Sequence, residues 1–187
     1  KVKKKPTIHQ TRIVATSRLF KVEALDIEFS NGVNVEYERL AGSGVGAVLV
    51  VPILKTAGEE DQLLLIREYG AGTNRYELGF PKGKVEVGEE IIAAANREIM
   101  EEVGYESSKI TLLKGVSLAP SYMGHVTNIL LAENLTEHRE DGDEPEELEV
   151  VPWKISKMDE LLELDEFNEG RGIAALYLVK KYLENNN

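Results

Sequence analysis

Glu98, Glu101 and Glu102 crowd the end of residues 83–105, GKVEVGEEIIAAANREIMEEVGY. On a helix, their spacing puts Glu98 and Glu102 one above the other, with Glu101 a turn from Glu98 on the neighbouring side. The helix gains nothing from this. Like charges at such spacings cost about 0.2–0.5 kcal/mol per pair, and the negative end of the helix dipole, where Gly104 would cap the chain, prefers cations by about 0.3–1 kcal/mol each. Arg97 brings a single positive charge to the group. A cluster of hard oxygen donors there suits a divalent cation, magnesium first. The other reading is a solvated acidic face in an acidic protein.

The elements that would position these acids are legible. Ile92, Ala95, Ile99 and Val103 recur at spacings of three and four, so the acids flank an apolar stripe turned to a core. Tyr76, Glu77, Leu78, Gly79, Phe80, Pro81 and Lys82 lead into Gly83 and predict a tight, fixed loop, from which the Lys82 carbonyl can reach a metal. Residues 47–54 and 63–66 predict two strands of a buried sheet, with further strands at 110–116, 127–132 and 149–153. Ser156 and Asp159 predict a capped helix to about Leu164, and residues 171–183 a final amphipathic helix with Ile173, Leu176, Val179 and Leu183 inward. Upstream, Phe20, Val22 and Ala24, then Val33, Val35 and Tyr37, alternate around Asn31-Gly32, which predicts an antiparallel hairpin sheet over 11–40 behind an extended lead-in at 1–10. AGSGVG at 41–46 is a linker without the lysine-hydroxyl pair of a phosphate-binding P-loop.

From Gly83 there are five residues to Glu89 and seven more to Arg97-Glu98-Ile99-Met100-Glu101-Glu102-Val103-Gly104-Tyr105. This resembles the Nudix box of the Nudix hydrolases, with every fixed polar and glycine position matched and Tyr105 where an aliphatic residue is more usual. The resemblance implies an α/β fold, a Nudix α/β/α sandwich with a mixed sheet at residues 45–187, behind an N-terminal antiparallel β extension at residues 1–44. It implies that Glu98 and Glu102, with Glu101 as helper and the Lys82 carbonyl beside them, hold two or more Mg²⁺, with Mn²⁺ as a substitute. Arg97 would orient Glu98 or Glu101 through a salt bridge, and Glu89 would be a carboxylate at the helix start or an outer partner of the metal.

Residues 141–148, DGDEPEEL, read by composition as a solvated acidic loop. By position they resemble the mobile loop that carries a catalytic glutamate in related enzymes. Glu144 is the first choice as general base, Glu146 and Glu147 are alternatives, and Glu146 is also a candidate metal ligand. Arg67, which ends a strand, is placed by the resemblance near the substrate phosphates, surface charge being the other reading. Pro120, sixteen residues beyond Gly104, resembles the downstream proline of ADP-ribose-hydrolysing members. Tyr122 or Tyr76 would stack on adenine, or each would be a half-buried core residue. Lys82 departs from the alanine found in many ADP-ribose pyrophosphatases, and its PKG form resembles dinucleotide polyphosphate hydrolases.

Together these features imply hydrolysis of the pyrophosphate bond in ADP-containing compounds (ADP-ribose, diadenosine polyphosphates, NADH) with release of AMP. A strict ADP-ribose pyrophosphatase and a catalytically silent nucleotide-binding regulatory domain are the alternatives. The N-terminal β extension resembles one that pairs subunits, so a homodimer is expected.

Composition bounds the rest. At 187 residues the chain can bury a sizeable core, and 42% hydrophobic with 29% charged residues is ordinary globular usage. A net charge of -11 argues against nucleic-acid and anionic-membrane partners, and requires metal to reverse the local sign for an anionic substrate. Zero cysteines exclude disulfides and thiolate chemistry and suit the cytoplasm. Lys1–Lys5 is basic but no apolar run follows it, so no signal peptide is expected; Lys1 is not Met, so a natural start outside this sequence is an expectation. His9, His125 and His138 lack ligand-like spacing.

Overall fold

Alternating apolar residues on either side of Gly32 build the first unit. β1 (Thr7–Thr16), β2 (Lys21–Glu28) and β3 (Asn34–Leu40) form an antiparallel sheet in that order. Gly32, at φ 81°, makes the turn, closed by the Phe29 N–H on the Val33 carbonyl at 2.9 Å. Strand pairing begins at Thr7, inside the segment expected to be a lead-in, because Thr7, Ile8 and Gln10 find partners on β2. The computed structural model describes residues 3–42, 44 and 46–186; Ser43 and Val45 of the expected linker, with Lys1, Val2 and Asn187, lie outside them. Contacts group Lys1–Gly44 with Ser117–His125 as this unit, and Val45–Val116 with Val126–Asn187 as the other. The Leu40 N–H donates to the Tyr122 carbonyl at 2.8 Å, which ties 117–125 to the end of β3.

The second unit is a mixed sheet between helices. Its elements are β4 (Ala47–Leu54), β5 (Gln62–Gly70), β6 (Arg75–Gly79), β7 (Lys82–Lys84), α1 (Ile91–Glu102), β8 (Tyr105–Ser117), β9 (Val126–Glu137), β10 (Glu149–Lys154), a 3-10 helix (Ile155–Glu163) and α2 (Gly170–Asn186). The main strand order is β10-β5-β4-β9-β8, with β6 on β5 and β7 on β4. β4 is parallel to β9 and antiparallel to its other partners.

Period-two alternation sorts the core into two layers. Leu49, Val51, Ile53, Leu63, Leu65, Ile129 and Leu131 face Ala175, Leu176 and Val179 of α2. Val48, Val50, Leu64, Ile66, Leu130 and Ala132 face Ala94, Ala95 and Ile99 of α1, with Val103 just beyond it. β4 is apolar throughout because both its faces are covered.

The sheet forks at its centre. β4 pairs with β5 only at Ile53↔Leu63 and Leu54↔Gln62, while its other end, Ala47–Leu49, pairs with β7. β5 continues instead with β6, over Ile66↔Gly79 to Gly70↔Arg75. Fully buried Phe80 and the Pro81 carbonyl, which accepts from the Val50 N–H at 2.9 Å, carry the chain across the fork. The stretch expected to be a loop is therefore two short strands, since its backbone groups are claimed by β5 and β4 on either side.

Two helix readings also change. Ile92 is 53% exposed, and the inward stripe of α1 is Ala94, Ala95, Glu98, Ile99 and Glu102. The capped helix expected from Ser156 is a 3-10 helix with no side-chain cap: the Ser156 N–H is taken by Glu60 at 2.8 Å and Asp159 pairs with Lys180.

Candidate active site

The inward stripe of α1 ends in two acids. Glu98 is 7% exposed and Glu102 5%, so the helix turns two carboxylates toward the sheet at the point where it forks. Each meets backbone of β7. The Glu102 carboxylate accepts the Lys82 N–H at 3.0 Å. The Glu98 carboxylate lies over Gly83 so closely that a Cβ there would sit 2.0 Å from its Oε1. Glycine at that position is a requirement of packing, not of backbone angle. Gly104, at φ 79°, ends the helix as expected, and the Arg139 guanidinium rests 3.1 Å from where its Cβ would be.

Arg97 is the hub of the acids. Its Nη1 donates to Glu98 at 2.8 Å and to Glu101 at 3.1 Å; Nε and Nη2 form a fork on Glu89 at 2.9 and 3.1 Å; Nη2 also reaches the Lys84 carbonyl at 3.1 Å. It therefore offsets three carboxylates, more than its single charge suggested, and it ties the loop before α1 to the last turn of the helix. Glu89 serves this fork and accepts the Glu86 N–H at 2.9 Å, so it is a partner of Arg97 near the helix start. The guanidinium holds the Glu89 carboxyl below its ordinary value.

The acids nearest the fork are pushed the other way. Burial drives the Glu102 carboxyl up to about 8 against the pull of Lys82, with Glu98 and Glu68 adding to the rise. Burial also raises Glu98, opposed by Arg97 and reinforced by Glu101 and Asp143. Glu68 was not expected here. Its signal was present, since it continues the Leu64, Ile66 alternation and so faces α1, where its carboxylate pairs with the Lys82 ammonium.

The acidic loop, residues 138–148, covers this corner. It lines a cleft of about 430 Å³ together with Glu98, Glu101 and Glu102. An adjoining cleft of about 870 Å³ adds Lys82, Gly83, Lys84, Glu86, Val87 and Arg97. The loop starts pinned to the end of α1: the His138 N–H donates to the Gly104 carbonyl at 3.0 Å, the Glu140 N–H to the Met100 carbonyl at 3.3 Å, and Arg139 to the Glu101 carbonyl at 3.4 Å. Glu144 lines both clefts, and burial, then Glu68 and Asp143, raise its carboxyl against Lys82. Glu147 lines the smaller one. Arg139 and Asp143, missed in the sequence, are visible only once the loop is folded back onto α1.

Other expected site residues are engaged within the chain. Glu146 lines the smaller cleft and accepts a hydrogen bond from the Tyr76 hydroxyl at 2.7 Å. Tyr76 also packs edge-on against Tyr69 at 5.7 Å. Arg67 is committed to Glu166, at 3.0 and 3.2 Å, and to Glu149 at 2.5 Å; its guanidinium clamps β5 and β10 to the turn before α2 and lines neither acidic cleft. Pro120 and Tyr122 belong to the first unit.

The donor set suits a hard divalent cation, with a correction to the expected convergence. Glu98 is turned onto Arg97 and Glu102 onto the Lys82 amide, and among the described residues no three His, Cys, Asp or Glu side chains form a closed ligand set. What fits is the chemistry: two buried carboxylates whose charged forms burial disfavours, sharing their clefts with Glu101, Asp143 and Glu144.

Residues 6–39 match the family model of the NudE-type Nudix hydrolase N-terminal domain, and residues 45–176 match the NUDIX domain. The chain is 48% identical over 180 residues to ADP compounds hydrolase NudE of Escherichia coli, covering 96% of this chain and 94% of that protein. It is 26% identical over 174 residues to an ADP-ribose pyrophosphatase of Bacillus subtilis, covering 89% and 91%. A crystal structure of an ADP compounds hydrolase superposes with a TM-score of 0.93 at 47% identity, covering 100% of this chain and 98% of that one.

Proposed function

Since the chain belongs to the NUDIX family, with a NudE-type N-terminal domain ahead of the NUDIX domain, we propose that it hydrolyses the pyrophosphate linkage of ADP compounds and releases AMP. The observation that carries this reading is the pair of buried carboxylates, Glu98 and Glu102, seated on the backbone of Lys82 and Gly83 where the sheet forks. Magnesium, with manganese as a substitute, is the proposed cofactor, and Glu98, Glu102 and the Lys82 carbonyl would hold it, with Glu101 as helper. When bound, such a cation neutralises the diphosphate and lowers the pKa of water.

The chain's own residues do the rest. Arg97 holds Glu98 and Glu101 through one guanidinium nitrogen and so limits the directions their carboxylates can take. Glu144, whose carboxyl is raised by burial and by Glu68 and Asp143, is the proposed acceptor of the proton from the attacking water. The loop that carries it lines the cleft beside Glu98, Glu101 and Glu102. Lys82 pairs with Glu68 and offsets part of the charge beside Glu102.

The first unit exposes Ile8, Ile13, Val14 and Phe20 on and beside β1 and β2, apolar surface that supports a homodimer through the N-terminal sheet. No helix among the described residues is long and apolar enough to cross a membrane. The cytoplasm is the proposed location, on the cysteine-free sequence.

A magnesium-dependent hydrolysis panel of ADP-ribose, NADH, diadenosine triphosphate and a nucleoside triphosphate tests the function. AMP from the first three with little action on the fourth is the expected result. Turnover of ADP-ribose alone marks a strict ADP-ribose pyrophosphatase. Tight binding of one compound with no hydrolysis of any overturns the enzymatic reading in favour of a regulatory domain.

A further inference from the structure

The loop over the acid cluster is pinned at both ends, and the two pins differ in kind. Its start is held to α1 by backbone groups, through His138 and Glu140. Its far side has, among the described residues, one side-chain tie, the Tyr76 hydroxyl on the Glu146 carboxylate at 2.7 Å. Between the pins lie Asp141 to Pro145, without helix or strand, and they include Glu144. Tyr76 stands on β6, whose pairing with β5 runs from Gly70↔Arg75 to Ile66↔Gly79, so the hydroxyl is offered from a rigid element. The edge-on ring of Tyr69 and the Tyr69 hydroxyl, which donates to Asn74 at 2.6 Å, brace it further.

We propose that Tyr76 is a positioning residue: through Glu146 its hydroxyl latches the acidic loop across the cleft and sets the reach of Glu144 to the reacting water. The ring itself need not touch substrate. A phenol suits the task because it donates one directed bond at the end of a stiff side chain, and Glu146, two residues beyond Glu144, transmits the constraint along the chain through Pro145. The role given to Glu144 rests on the reading of the preceding subsection; the latch is a separate claim about the loop.

Tyr76→Phe keeps the ring and removes the donor. Hydrogen exchange of the amides of residues 139–148 in the full chain is the measurement that does not depend on turnover. Loss of one hydrogen bond to a charged acceptor, partly solvated here, predicts about fivefold to tenfold faster exchange in the loop, with α1 and β5 unchanged. Glu146→Gln keeps an acceptor and should retain the protection, whereas Glu146→Ala should match Tyr76→Phe, and the double variant should be no faster than either single one. In the magnesium-dependent hydrolysis of ADP-ribose, Tyr76→Phe should lower kcat by a similar factor at unchanged KM. Wild-type exchange in Tyr76→Phe, or additive effects in the double variant, overturns the latch. Faster exchange with unaltered kcat overturns its link to Glu144, and a raised KM that appears only on removing the ring, in Tyr76→Ala, returns Tyr76 to the substrate. If none of the proteins turns over any ADP compound, the functional reading fails while the exchange data still decide the latch.

Discussion

Replacing Glu102 by glutamine removes a carboxyl whose charged form burial disfavours. With the folded value raised to about 8 from an ordinary 4.5, the folded chain keeps a proton that the unfolded chain has released throughout that window. Stability therefore falls as pH rises from 4.5 to 8, at up to about 1.4 kcal/mol per pH unit and on the order of 5 kcal/mol over the whole window. For a chain of this size each kcal/mol is worth about 2–4 °C in Tm, so wild-type protein in EDTA should lose on the order of 10 °C between pH 5 and 8 on this account. Glutamine keeps an acceptor for the Lys82 N–H and does not titrate, so Glu102→Gln should lack this part of the slope. The quantity to measure is the difference in Tm between the two proteins by thermal scanning at pH 5, 6, 7 and 8, in which the titrations they share cancel. It should open steadily in favour of glutamine. Added Mg²⁺ should close it by raising the wild-type Tm at pH 8, leave Glu102→Gln nearly unmoved, and support hydrolysis only in the wild type. A Tm difference that stays constant across this pH range would falsify the claim that the buried carboxyl is held neutral.

Gly83→Ala places a methyl group 2.0 Å from Glu98 Oε1, so the carboxylate must leave its seat beside Arg97. Because the obstruction is the end of a side chain, the fold should survive with a Tm within a few degrees, while kcat/KM falls by about 100-fold, roughly 2.7 kcal/mol of transition-state stabilisation; near-normal turnover would mean that Glu98 acts from another position. Arg67→Ala should cost about 1 kcal/mol of stability, since its ion pairs with Glu149 and Glu166 are part-exposed, and should leave the KM for ADP-ribose unchanged. A large rise in KM at constant Tm would put Arg67 back among the substrate phosphates.

What could be read from the chain alone follows from how far each signal reaches. The carboxylate helix was legible because its partners are local: Glu98, Glu102 and Gly104 are set by helical spacing and a cap, and Arg97 reaches Glu89, Glu98 and Glu101 within one short segment. The buried strands were legible because apolar runs report burial on both faces. Contacts across the sequence were not. Arg67 was placed near the substrate phosphates by resemblance, with surface charge as the other reading, and neither could show its partners Glu149 and Glu166, 82 and 99 residues away. Tyr76 looked like an aromatic platform because its hydroxyl partner lies 70 residues away. The stretch before Gly83 looked like a loop because glycine and proline mark turns, whereas here they let the backbone pass between two strands that have parted. Ile92 was placed inward by a pattern that the acids themselves occupy.

The forked sheet also has a bearing on how such a protein can change. The place where the acids meet Lys82 and Gly83 is set by main-chain pairing of β4 with β7 and by the buried α1, which tolerate few exchanges. One wall is supplied by the 138–148 loop, which lies at the surface and adds only Leu148 to either apolar layer. The buried carboxylates and the loop that carries Glu144 are therefore separable in packing but not in chemistry. Exchanging the loop on the same frame would keep the core and the Glu98–Glu102 pair while changing both the lining of the cleft and the group that takes the proton, so only a graft that keeps an acid at position 144 is a route to new substrate ranges with cleavage retained.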